Sequence, residues 1–182
     1  MSEEMLVKHC APTLAGMKTG NMFTCEYESR DELCRDVRHW NLALSHKGLR
    51  IMPLRYNGKR ALIYIYRPSR LKNDLSDADA ADILQKCGYA GTPERCIARL
   101  AKRVASSEEF PHEIGLFLGY PPEDVSGFIE NRAKGCKLVG CWKVYGDVAA
   151  AQKTFAKYKK CTDSYCACHA RGKSVEHLAV FG

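Results

Sequence analysis

Leu49-Arg50-Ile51-Met52-Pro53-Leu54-Arg55-Tyr56-Asn57-Gly58-Lys59-Arg60-Ala61-Leu62-Ile63-Tyr64-Ile65-Tyr66-Arg67 is the stretch on which the fold turns. Two apolar runs, Leu49 to Tyr56 and Lys59 to Arg67, flank Asn57-Gly58. An Asn-Gly pair between such runs signals a β-hairpin, because tight hairpin turns need positive φ and these residues adopt it at little cost. The second run, Ala61-Leu62-Ile63-Tyr64-Ile65-Tyr66, is apolar on both faces. A strand of that kind suits the middle of a sheet covered on both sides.

Working outward, Gly20 to Tyr27 reads as a further strand after a glycine turn. Ser29 followed by Glu32 is a capping-box signature for a helix carrying Leu33, Val37, Trp40 and Leu44 on one face, with Gly48 ending it. Downstream the chain is helical. Ser76 with Asp79 opens a segment to Cys87, and Thr92-Pro93 opens one with Ile97, Leu100 and Val104 inward. Short helices follow after Phe110-Pro111-His112-Glu113 and after Pro121-Pro122. Lys137 to Tyr145 reads as a last strand, and Asp147 caps a helix with Phe155 and Tyr158 on one face and Lys153, Lys157 and Lys160 on another. The order predicts one compact α+β domain over residues 1–182, with a mixed or antiparallel sheet of about four strands, a central hairpin and a helical cover. Leu33, Val37, Trp40, Leu44, Ile63, Ile65, Leu100, Phe117, Phe128, Val144, Phe155 and Tyr158 are the expected core.

Composition bounds the function. No stretch reaches the ~20 apolar residues of a membrane span, and Met1-Ser2-Glu3-Glu4 lacks the basic and apolar regions of a signal peptide. These features predict a cytoplasmic protein without a membrane partner. In that compartment the ten cysteines stay reduced. They then serve as buried small hydrophobes, metal ligands or reactive thiols. Charge is uneven: residues 1–131 hold 18 basic and 18 acidic groups, whereas residues 132–182 hold 10 and 3 and carry the entire +7. The basic C-terminal third, packed as part of the domain, suits an anionic partner or simply a solvated lysine face.

Three constellations bear on chemistry. The first is Lys8-His9-Cys10-Ala11-Pro12, read as a thiol at a helix start, where free N–H groups and the dipole favour thiolate. With His112 as base and Glu113 to orient it, Cys10 forms a candidate thiol-enzyme set. Thr13, Lys18, Thr19 and Asn21 are candidate contacts for a small anionic ligand. The second is Cys136 and Cys141 together with the dense Cys161-x4-Cys166-x-Cys168-His169, a set of soft ligands suited to a metal ion or iron–sulfur cluster. Its spacing matches neither paired C-x2-C zinc sites nor ferredoxin runs. The third is the basic C-terminal third with Trp142, Tyr145, Tyr158 and Tyr165. No recognised nucleic-acid motif accompanies it, so nucleic acid is disfavoured and the aromatics are expected in the core. Lys153, Lys157 and Lys160 form a stripe suited to an acidic protein such as a small electron carrier. No P-loop, G-x-G-x-x-G, G-x-S-x-G or H-E-x-x-H is present, so no cofactor is assigned.

Three blocks resemble the bacterial, mainly clostridial, family known as domain of unknown function 3793. They are His9-Cys10-Ala11-Pro12-Thr13-Leu14-Ala15-Gly16, then Pro111-His112-Glu113-Ile114-Gly115-Leu116-Phe117-Leu118-Gly119-Tyr120-Pro121 with Glu123-Asp124-Val125, then Trp142-Lys143-Val144-Tyr145-Gly146-Asp147 leading to Phe155, Tyr158 and Cys161. The resemblance implies a cytosolic protein of an anaerobe and transfers no catalytic residues. The residues themselves support a small-ligand-binding protein or thiol-dependent enzyme as the leading expectation. A metal or iron–sulfur protein and a non-catalytic interaction module are the alternatives.

Overall fold

Asn57 and Arg60 face each other across the hairpin, so the turn centres on Gly58-Lys59, one residue later than Asn57-Gly58. Gly58 supplies the positive φ, +57°. The computed structural model describes residues 1–106, 110–132 and 134–182. Strands β1 (Gly20–Glu26), β2 (Arg50–Asn57) and β3 (Arg60–Tyr66) form an antiparallel sheet in the order β1-β3-β2. β3 is central, as its double-faced apolarity requires. Ala61, Ile63 and Ile65 enter one core, and Tyr64 enters the other. A bulge between Pro53 and Arg55 shifts the register of β2, and Leu54 there is buried in the second core.

The free edge of β2 is closed from within. Asn41 accepts from the Ile51 N–H at 2.9 Å and donates to the Ile51 carbonyl at 2.7 Å, standing in for a neighbouring strand. Pro53 adds a residue that cannot donate, a usual guard on sheet edges.

On one face pack α1 (Glu3–Leu14), α2 (Arg30–Leu44), the long α8 (Val148–Ala170) and α9 (Val175–Leu178). On the other lie α3 (Pro68–Leu75), α4 (Ala78–Lys86), α5 (Pro93–Ser106), α6 (Ile114–Phe117) and α7 (Pro122–Glu130). The Ser29 cap forms as expected, its Oγ accepting from Glu32 N–H at 3.2 Å. Asp147 likewise caps α8 through Ala150 N–H. Asp77, not Ser76, caps α4, because α3 extends through Leu75 and takes Ser76 as its own end. The run Lys137 to Tyr145 is not one strand. It folds back as β4 (Leu138–Val139) and β5 (Lys143–Val144), a ribbon separate from the main sheet.

Leu33, Trp40, Leu44, Ile63, Ile65, Leu100, Phe117 and Val144 are buried. Each apolar side chain so removed from water contributes about 1.5–3 kcal/mol. Val37, Phe128, Phe155 and Tyr158 are only half-buried.

The helix near Cys10 starts earlier than its proline suggests. Ser2 caps it, Glu3 and Glu4 occupy its first turn, and Pro12 lies in its last turn. Cys10 is therefore near the carbonyl end, not at the N-terminus, and receives no help from the dipole. α1 has no basic residue of its own in that turn. Arg67, wholly buried, takes the role from outside: Nε donates to Thr13 O at 2.7 Å and Nη2 to Leu14 O at 2.7 Å. Its other bonds reach Val180 O and Lys47 O, tying the chain's end and the 3-10 turn Ser45–Lys47 to α1.

Candidate functional site

The structure separates the members of the thiol-enzyme set. Cys10 is wholly buried in the core between α1 and the sheet. Burial pushes its thiol far up, and the charge of Lys18 offsets only part of that. His112 is exposed and leans its ring on Phe128 of α7, centroids 4.8 Å apart. Glu113 turns inward beneath it. Its Oε1 accepts from the Tyr89 hydroxyl at 2.8 Å and pairs with Arg103 at 3.0 Å, so it orients no imidazole. Among the described residues no hydrogen bond joins Cys10 to any base, and a nucleophile needs one within reach.

The proposed anion contacts are committed elsewhere. Thr13 donates to Asn21 Oδ1 at 2.7 Å, and Thr19 donates to the Asp74 carboxylate. Both bonds lock the turn between α1 and β1. Lys18 differs. It is 6% exposed, and its ammonium lies 5.0 Å from the Tyr120 ring centroid and 5.9 Å from that of Tyr158. Burial lowers its pKa to about 8, while the nearby thiols Cys141 and Cys10 pull the other way.

The tail cysteines do not converge. Cys161 is buried on α8, while Cys166 and Cys168 pack partly against the first core. His169 Nδ1 lies 3.0 Å from the Lys173 carbonyl. Among the described residues no three metal-ligand side chains cluster. On one helix, Cys166 points away from the face that Cys161 and Cys168 share, which is why the spacing builds no single site.

What the fold does assemble is a pocket of about 300 Å³ between α6, α7 and the β4–β5 ribbon. Ile114, Gly115 and Val125 are its buried lining. Phe110, Tyr120, Phe128 and Trp142 supply aromatic walls, with His112 and Lys143 as polar groups among them. Gly115 must be glycine, because a Cβ there would lie 2.8 Å from a Val125 methyl.

Asp124 of α7 builds the far wall. Oδ2 accepts from the Trp142 indole N–H at 2.6 Å, and Oδ1 accepts from the backbone N–H groups of Tyr145 and Gly146 at 2.7 and 2.8 Å. Charge-assisted bonds of this kind are the strong ones, and three of them hold the ribbon to the helix. Trp142 then stacks on Tyr120 at 4.8 Å and meets Phe155 edge-on at 4.5 Å. A continuous ladder runs Phe155, Trp142, Tyr120, Lys18, Tyr158. Burial pushes the Tyr120 and Tyr158 phenols up to about 12, so both stay neutral and their faces remain available to the cation.

Sequence reasoning assigned Trp142 and Tyr158 to the core and gave Asp124 no role. Phe128 and Phe155, expected to be buried, are half-buried because they border this site and its ladder. The signal was present in the second and third blocks of resemblance, which meet at the pocket. Lys18, just past the first block, touches it from behind through Tyr120.

No helix among the described residues is long and apolar enough to cross a membrane. Comparison with the curated proteins and with the solved structures finds no match. The family described as "Protein of unknown function (DUF3793)" matches residues 6–179, nearly the whole chain, and the protein belongs to that family.

Proposed function

We propose that the protein is a small-molecule-binding domain, and that the aromatic pocket takes a flat, ring-containing ligand. The observation that carries this reading is the pocket itself: about 300 Å³, four aromatic walls and few polar groups. Ligand sites have this character, with a mostly apolar lining and a small number of placed polar atoms. Stacking on Trp142 or Phe128 would hold a ring, and each aromatic pair contributes about 0.5–1.5 kcal/mol beyond burial. His112, whose ring nitrogens make no hydrogen bond among the described residues, offers a donor or acceptor to the ring's edge. Lys143 lines the same wall and favours a ligand with negative charge there.

The test uses 1-anilinonaphthalene-8-sulfonate, a flat anionic probe. It should bind saturably at one site per chain and raise the melting temperature. Phe110→Ala, a change at a rim residue that is 43% exposed, should weaken binding several-fold without loss of fold. Binding that does not saturate, or that ignores both Phe110→Ala and His112→Ala, would sink the reading.

A second contact is supported by α8, where Lys153, Lys157 and Lys160 are all exposed. This stripe suits an acidic partner protein, which charge would steer more than it would tighten.

A further inference from the structure

Of the ten cysteines, Cys141 is the most exposed residue, five being half-buried and four buried. It sits at the tip of the β4–β5 ribbon, where Gly140 N–H bonds to the Trp142 carbonyl at 3.0 Å and closes the turn. Tyr120 secures the tip from below, its hydroxyl donating to the Cys141 carbonyl at 3.2 Å. On the face of that same Tyr120 ring rests the Lys18 ammonium. Lys18 is over nine-tenths buried, and its ammonium makes no hydrogen bond or ion pair among the described residues. Its charge is felt at Cys141 and lowers the thiol's pKa, against a larger upward push from burial.

A buried ammonium without a counter-anion is costly, and two ring faces repay only part of the cost. That positive charge and the ribbon tip share Tyr120, whose ring carries the ammonium and whose hydroxyl holds the Cys141 carbonyl. An anion brought to Cys141 would supply what Lys18 lacks.

We propose that Cys141 is a modification site for small, negatively charged disulfides, with Lys18 as the positioning residue that attracts the anion. The Cys141 proton passes to solvent, and the thiolate attacks one sulfur of the disulfide. The new S–S bond forms as the reagent's own S–S bond breaks, and the other half departs as a thiolate. The Cys141 sulfur is oxidised and the departing sulfur reduced, so no further oxidant is needed. Cys141 does not itself line the aromatic pocket, and the proposal stands apart from the reading of that pocket.

The experiment compares two reagents on the folded protein at pH 7. One is 5,5′-dithiobis(2-nitrobenzoate), which is anionic, and the other is 2,2′-dithiodipyridine, which is neutral. One thiol per chain is expected to react ahead of the others because it is the most accessible, and this leading phase should vanish in Cys141→Ser. Lys18→Met should lower the rate with the anionic reagent by about tenfold relative to the neutral one. Lys18→Arg should keep the preference. In the unaltered protein the preference should shrink at high salt, and again as pH rises through about 8, where Lys18 loses its charge. A leading phase that survives Cys141→Ser overturns the site. A reagent preference unmoved by salt and by Lys18→Met overturns the role of Lys18, and the salt series decides this even if that variant fails to fold.

Discussion

At the scale of single residues, Lys18 makes the sharpest statement about stability. The unfolded chain holds this proton up to the ordinary lysine value, whereas the folded protein releases it at about 8 because burial disfavours the charge. Between those two values the unfolded state binds more protons, so Lys18 makes stability rise with pH across that window. Below about 8 both states are protonated and the full cost is present. Lys18→Met should therefore stabilise the protein at pH 7, by an amount on the order of 3 kcal/mol at most. The gain should fade as pH climbs from 8 toward 10.5. Urea unfolding of both proteins at several pH values measures it. A variant that is less stable at pH 7 would show that the Tyr120 and Tyr158 faces more than repay the burial. Asp124 is the opposite case, a buried charge whose carboxylate is fully used. Asp124→Ala strands the Trp142 indole N–H and two backbone N–H groups, and should cost about 3 kcal/mol. Thermal unfolding followed by Trp142 fluorescence in a Trp40→Phe background would register both the loss of stability and the release of the ribbon.

At the scale of elements, the edge strand β2 depends on a side chain from α2. Asn41 satisfies both backbone groups of Ile51 and also donates to the Val37 carbonyl at 3.0 Å. Asn41→Ala removes all three bonds and opens the edge. About 2 kcal/mol of stability should be lost, since each such bond contributes roughly 0.5–1.5 kcal/mol and part of the edge regains water. Light scattering during heating should also rise earlier, because an uncovered edge templates pairing with another chain. Unchanged scattering with lowered stability would mean that Pro53 and the bulge guard the edge by themselves. Arg67 plays the corresponding part for α1, reaching carbonyls from three separate segments. No local pattern around Pro12 announces that a residue more than fifty positions away will close the helix.

At the scale of the whole molecule, the sheet divides two cores, and α8 presents a row of exposed lysines. Lys153, Lys157 and Lys160 are exposed on α8 while Phe155 and Tyr158 turn partly inward, as helical spacing predicts. Poly-L-glutamate serves as a probe of that surface. It should bind at low ionic strength and release as salt approaches physiological levels, where screening acts beyond about 8 Å. Reversing all three lysines to glutamate should abolish retention, and retention that persists would mean that the stripe only solubilises the protein. The α+β class, the hairpin, the caps at Ser29 and Asp147 and the central place of β3 were all legible from local pattern. Periodicity and capping are set by neighbours within a few residues, so a linear reading captures them. The candidate site was legible only as fragments: His112, Lys18 and Trp142 stand out in the sequence, but Pro12 marks the last turn of the Cys10 helix and not its start. A proline alone does not say whether a helix begins or nears its close, because its missing N–H is tolerated at the start and its constraint can also be absorbed near the end. Which residues meet across a hundred positions was decided by tertiary packing. Asp124 could draw Trp142 and the ribbon onto α7, and the fold could bury Lys18 under Tyr120, only once the two layers had closed around the sheet. Burial and distance are properties of that closure, and they enclose Cys10 in the core while leaving the aromatic pocket open between α6, α7 and the ribbon.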